Sequence, residues 1–217
     1  QRARQMADLV AAAREVGNFD TVADTAADPL GAVGKPAHGA GDGAGQHPTQ
    51  ALLDMYTIAD AFSGITGLKI AMVGDLRYGR TVRSLSYLLT KYEDTEIIFV
   101  SPPVCKMEGD IKAYLDKYNV PWHEETDLDS IVPEVDCIYM TRIQKERFHD
   151  PEDYRIAAGK YILTQERANR MKPEAIIMHP LPRVDEIPKS VDDNPRARYF
   201  EQAQNGLYIR MALLYLL

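Results

Sequence analysis

Four short apolar runs, Leu68–Val73, Glu96–Val100, Val135–Met140 and Ala175–Met178, are spaced along the chain with helical patterns between them. Runs this continuous are hydrophobic on both faces, which suits strands buried in the middle of a parallel sheet rather than one-sided strands. The intervening segments Thr81–Tyr92, Gly109–Tyr118, Leu128–Pro133 and Pro151 onward to Met171 carry helical periodicity. Val120–His123 adds a candidate edge strand. Strand and helix in alternation predict right-handed βαβ units. The expected fold is an α/β, doubly wound, mainly parallel sheet with helices on both faces.

Two further helices flank this pattern. Pro48 suits a first helical position, and Leu52, Leu53, Tyr56, Ile58 and Phe62 give an apolar face before Gly64, so a helix is expected over 47–62. The last segment, 197–217, reads as a long helix whose end, from Met211 on, is apolar on nearly every side and needs a partner surface. Upstream, Arg2–Val16 has an amphipathic pattern, and residues 20–45 are poor in large apolar side chains. Residues 1–40 are therefore expected to be a helix plus linker, and 41–217 the folded unit.

The 217 residues carry a net charge of −7, which argues against a nucleic-acid or anionic-membrane surface. No apolar stretch approaches the roughly 18 residues of a spanning helix. Only Cys105 and Cys137 are present, and Cys137 sits inside an apolar run, so a reducing, cytoplasmic setting is expected. His38, His123 and His149 lack spaced partners, so no metal site is assigned.

In an open parallel sheet, ligands bind beyond the carboxyl ends of the strands. Three cationic loops follow strands here: Gly74–Thr81 with Arg77 and Arg80, Thr141–Arg147 with Arg142 and Lys145, and His179–Arg183. Guanidinium groups gathered in an acidic chain suit a small, multiply anionic ligand. The bland alternative pairs these arginines with Asp75, Glu146 and Asp185, and Glu146 is expected to pair with Arg77 or Arg142. His47 opens a helix, where it can stabilise developing negative charge, and Gln50 one turn on offers an acceptor and donors. The loop Gly74-x-x-x-x-Gly79-Arg80-Thr81 also differs by one residue from a nucleotide phosphate loop, so a P-loop NTPase stands as a rival reading.

The stretches Gly41–Asp54, Met72–Leu85, Met140–Phe148 and Met178–Ile187, with the tail Tyr199-Phe-x-Gln-x-x-Asn-Gly, resemble the aspartate transcarbamoylases in order and spacing. The related ornithine enzymes carry His-Cys-Leu-Pro where this chain has His179-Pro180-Leu181-Pro182. The resemblance implies carbamoyl transfer from carbamoyl phosphate to the amine of L-aspartate in pyrimidine synthesis, without metal or organic cofactor. It implies that His47 polarises the carbamoyl oxygen, Gln50 holds the carbamoyl amine, and the backbone of Leu181 and Pro182 touches the same group. Arg80 and Arg142 would grip the aspartate carboxylates, with Gln144 assisting.

It further implies a homotrimer or larger assembly, with room for a regulatory or complementary chain, and helices 47–62 and 197–217 at a domain junction. The family's Ser-x-Arg-Thr-Arg phosphate loop does not occur before His47, so only the aspartate-binding part, with most of the carbamoyl-phosphate domain missing, is expected. A non-catalytic structural subunit of the same fold is the remaining alternative.

Overall fold

The computed structural model describes residues 47–143, 145, 148, 150–152, 154 and 160–216. Residues 1–46, and with them the expected helix and linker of 1–40, lie outside the described residues. The elements run α1 (Pro48–Phe62), β1 (Lys69–Val73), α2 (Arg80–Leu89), β2 (Glu96–Val100), α3 (Gly109–Lys117) and β3 (Trp122–Glu125). They continue with α4 (Leu128–Ile131), β4 (Cys137–Met140), α5 (Gln165–Arg170), β5 (Ile176–Met178) and α6 (Tyr199–Leu216). All strand pairs are parallel, in the order β3-β2-β1-β4-β5.

Alternate strand residues divide into two cores, which is why the runs are apolar throughout. Ile70, Met72, Ile97, Phe99 and Tyr139 face Met55 and Ile58 of α1, Leu85 of α2 and Ile111 of α3. Ala71, Val73, Ile98, Val100 and Ile138 face Ile131, Leu163, Ala168 and Tyr199 on the other side. Both faces are covered, as a doubly wound sheet requires.

Several boundaries differ from the sequence expectation. The helical pattern from Pro151 to Met171 is not one helix. Residues 161–164 are irregular, because Leu163 N–H donates to Glu186 O at 2.8 Å and Thr164 starts α5 by capping Arg167 N–H. The edge strand lies two residues later than Val120–His123, set by pairing of Trp122 with Ile97 and Glu125 with Val100. The expected helix Leu128–Pro133 stops at Ile131. On α6, Phe200, Leu207, Met211 and Leu214 are exposed, in keeping with the apolar pattern read from its sequence.

Between α1 and α6 the packing is close. A Cβ on Gly206 would sit 3.1 Å from Leu53 Cδ2. Leu52, Leu53 and Tyr56 meet Ile209 in a third apolar cluster. The same interface carries buried polar pairs: Asn205 Nδ2 donates to Thr57 Oγ1 at 3.0 Å, and Gln202 Nε2 donates to Asp54 Oδ1 at 2.6 Å. Both pairs step by three residues along each helix, the spacing of neighbours on one helical face.

At the end of β1 the chain passes Gly74 at φ 112, with its N–H on Val100 O. A Cβ there would lie 2.5 Å from Thr141 O and 2.7 Å from Thr141 Oγ1. The close approach and the left-handed backbone both demand glycine. Gly74→Ala is expected to lower unfolding free energy by roughly 2–4 kcal/mol in denaturant titration, and a loss below about 0.5 kcal/mol would contradict this geometry.

Candidate active site

The strand order reverses direction between β1 and β4, whose following loops leave to opposite sides. Such a switch point opens a crevice at the carboxyl ends of the strands. Thr141 N–H and Oγ1 both donate to Val73 O, at 2.8 and 2.9 Å, so the two loop starts are fastened together at its floor.

On one side, two helix N-termini meet. The His47 ring caps α1: Nδ1 accepts Gln50 N–H at 3.3 Å, while His47 N–H donates to Ser84 Oγ of α2 at 2.9 Å. With Nδ1 an acceptor, the neutral ring carries its proton on Nε2 as a donor. Burial, then the charges of Arg80 and Arg210, lower the His47 pKa below its ordinary 6.5, which favours that neutral form. Arg80 is the first residue of α2. Two positive helix ends and two guanidinium groups thus surround one neutral N–H donor, an arrangement that favours an anion or a developing oxyanion.

Behind His47 lies Asp54, fully buried. It accepts from Gln50 Nε2 at 2.9 Å, Tyr139 OH at 2.8 Å and Gln202 Nε2 at 2.6 Å. Burial pushes its pKa up to about 7, against the pull of the three donors. Gln202 in turn accepts His179 N–H on Oε1 at 2.8 Å. One carboxylate therefore ties α1 to β4, to α6 and to the loop after β5.

In that loop the His179 ring is spanned by two bonds: Nδ1 accepts Leu181 N–H at 2.8 Å, and Nε2 lies 2.8 Å from Glu186 Oε1. Burial raises the Glu186 carboxyl, but bonds from His179 and from backbone N–H groups outweigh it and hold the pKa below the ordinary value. The loop so braced presents Leu181, at φ 46, and Pro182 after a cis peptide bond. A non-glycine residue in the left-handed region is kept only where its surroundings dictate it.

Opposite, Arg142 follows β4 and lines a cavity of about 180 Å³ with Thr141, Lys145, Tyr161, Asp185 and Glu186. Glu186 thus joins this cavity to the Leu181 loop. Gln144, Glu146 and Arg147 lie outside the described residues.

Two arginines of the cationic loops have acidic neighbours, Arg77 at the exposed surface and Arg183 in a part-buried network. Arg77 pairs with Glu108 at 3.8 Å, and Arg183 donates to Asp192 Oδ2 at 2.6 Å and to Tyr199 OH at 3.0 Å. Neither partner is among those expected from sequence. His123, read as lacking a spaced partner, lies 3.3 Å from Glu96 Oε1 on the surface. The phosphate-loop reading fails on the loop's own filling: Leu76 is fully buried, its N–H donates to Cys105 O, and Tyr78 N–H donates to Asp75 Oδ1. Those two N–H groups are therefore not available to cradle a phosphate.

Residues 66–217 match the family model described as Aspartate/ornithine carbamoyltransferase, Asp/Orn binding domain. The chain belongs to the aspartate/ornithine carbamoyltransferase family. Among curated relatives, a chloroplastic aspartate carbamoyltransferase 2 of Pisum sativum is 57% identical over 185 residues, which are 85% of this chain and 48% of the relative. The chain spans about half the length of the first curated relatives it matches. Among solved structures, the catalytic subunit of M. jannaschii aspartate transcarbamoylase superposes with TM-score 0.74 at 49% identity, over 81% of this chain and 56% of that one. The Trypanosoma cruzi aspartate transcarbamoylase in complex with carbamoyl phosphate and aspartate gives 0.75 at 39% identity, over 81% and 58%. The doubly wound parallel fold is thus that of the carbamoyltransferases.

Of the site residues expected from the sequence, His47, Gln50, Arg80, Arg142, Leu181 and Pro182 stand at the carboxyl edge or on the helix that caps it, and Gln144 lies outside the described residues. Asp54, Tyr139, Gln202 and Arg210 were not among those expected. If Arg80 lowers the His47 pKa as the geometry requires, Arg80→Ala raises it, read from the ring signals in an NMR titration. An unchanged midpoint would place Arg80 away from His47.

Proposed function

We propose that this chain forms the aspartate side and part of the carbamoyl side of an aspartate carbamoyltransferase site, acting in pyrimidine synthesis. The observation that carries the reading is His47: a neutral ring with a donor Nε2–H, beside Arg80, at the N-terminus of α1. The names of the relatives support it, as does the solved T. cruzi enzyme in complex with carbamoyl phosphate and aspartate.

The chemistry follows from charge. The α-amine of aspartate attacks the carbamoyl carbon, a C–N bond forms, the C–O bond to phosphate breaks, and the amine's proton leaves with phosphate or solvent. His47 Nε2–H donates to the carbamoyl oxygen as charge builds on it, a kind of contribution worth roughly 10²–10³ in rate. Gln50 and the backbone of Leu181 and Pro182 hold the carbamoyl group. Arg80 and Arg142, with Gln144, hold the two carboxylates of aspartate. Carbamoyl phosphate is already an activated donor, so orientation and charge stabilisation suffice without a protein nucleophile. A metal or organic cofactor is not needed for this chemistry.

The reading extends to the surroundings. The paired helices α1 and α6 sit at a domain junction. The assembly is a homotrimer or larger, with place for a regulatory or complementary chain. A cytoplasmic setting suits two unbridged buried thiols, and none of the described helices is long and apolar enough to cross a membrane. Nucleic acid is not a partner on this reading.

The full-length gene product is expected to form N-carbamoyl-aspartate and phosphate in equal amounts. Arg142→Ala is expected to weaken binding of a dicarboxylate such as succinate by at least about 100-fold, as loss of a charge-assisted bidentate contact implies. Calorimetry giving an unchanged affinity would remove Arg142 from the site, and absence of carbamoyl-aspartate would remove the function.

A further inference from the structure

A carbamoyl group differs from an acetyl group in one place, an NH₂ where acetyl has a methyl. A site that prefers the carbamoyl donor needs an acceptor aimed at that nitrogen, because a shape-based pocket separates isosteres poorly. Gln50 has one acceptor and two donors on an amide that can turn either way. Its orientation is set from behind. Asp54, fully buried, takes three hydrogen bonds: two on Oδ1, from Gln50 Nε2 and Gln202 Nε2, and one on Oδ2, from Tyr139. A carboxylate has no proton to give, so both amides must turn their nitrogens toward it. For Gln202 the consequence is visible: Oε1 points the other way and accepts His179 N–H, anchoring the loop that carries Leu181. For Gln50 the same constraint turns Oε1 away from Asp54.

Resting on the carbamoyl-transfer reading above, we propose that Asp54 is the specificity-determining positioning residue of the site. Its carboxylate holds the Gln50 nitrogen inward, so that the amide oxygen meets the NH₂ of the donor and selects carbamoyl over acyl phosphates. Asp54 acts through Gln50 and touches no substrate.

The test is a ratio. With aspartate as acceptor, the full-length gene product is assayed with carbamoyl phosphate and with its methyl isostere acetyl phosphate. In the second reaction the same amine attacks the acetyl carbon, a C–N bond forms and phosphate leaves, giving N-acetyl-aspartate. Asp54→Asn offers a donor as well as an acceptor, so one amide is free to turn. It is expected to lower the carbamoyl-to-acetyl ratio of kcat/KM by roughly 10–100-fold, with the KM for aspartate little changed. Tyr139→Phe removes a donor but leaves the acceptor, and is expected to keep the ratio. A purely structural role for Asp54 would slow both donors alike, and an unchanged ratio in Asp54→Asn overturns the proposal.

Should Asp54→Asn fail to fold, the ratio is followed on the unsubstituted protein from about pH 8.5 to about pH 5.5, across the Asp54 titration near 7. Protonation gives the carboxyl a proton to donate beside its acceptor, so an amide is no longer obliged to present its nitrogen; the ratio falls toward acid, and a flat ratio overturns the proposal. The titratable groups facing Asp54 are Tyr139 and Cys137 of β4, both raised far out of this range by burial. Ionisation of the aspartate amine and of His47 acts on both donors and cancels. An unsubstituted protein that forms neither product brings down the carbamoyl-transfer reading and this proposal together, and is recognised because no substitution is involved.

Discussion

A carboxylate with no access to water organises this molecule. Burying Asp54 costs free energy that three hydrogen bonds offset only in part, which is why its pKa rises to about 7. Its value is directional. An acceptor-only group fixes the rotor of Tyr139 and the faces of two amides, and those residues come from the sheet, the helix that opens the site, and the last helix. Elements far apart in sequence are held in one register by a group that tolerates few alternatives.

Topology supplies the other half of the arrangement. The reversal of strand order between β1 and β4 leaves a crevice, and the residues around it enter from both sides. His47 and Arg80 lie at two helix N-termini joined by the bond from His47 N–H to Ser84. Arg142 enters from the neighbouring strand end. The Leu181 loop is braced internally by the His179 ring and fastened to the rest through Gln202 and Glu186. Positive charge therefore gathers at one edge of a chain whose net charge is −7.

Much of this is legible in the amino-acid sequence. Strands buried on both faces announce themselves as unbroken apolar runs, and β2 lies over the same residues, Glu96–Val100, that its run marks. His47 and the arginines stood out because chemistry-bearing residues directly follow or precede strong periodic elements. The break at 161–164 was not legible, since it depends on Leu163 pairing with Glu186 more than twenty residues away. Asp54 escaped for a related reason. One acidic residue in a helix reads as a solvated position, and only the tertiary fold brings Tyr139 and Gln202 to it. The tail motif Gln-x-x-Asn now has a physical meaning: Gln202 and Asn205 are residues of α6 that bond to α1. Likewise, sequence could nominate Arg183 for a ligand site, but not show that Asp192 and Tyr199 bind its guanidinium.

On the proposed reading, His47, Gln50 and the Leu181–Pro182 backbone enclose one carbamoyl group, with Gln50 facing its nitrogen. A crystal structure of the full-length gene product with carbamoyl phosphate and succinate tests it directly. The prediction is Gln50 Oε1 within about 3.2 Å of the carbamoyl nitrogen and His47 Nε2 within the same distance of the carbamoyl oxygen, with Gln50 Nε2 still on Asp54. A carbamoyl group bound elsewhere, or turned so that its oxygen faces Gln50, would contradict it.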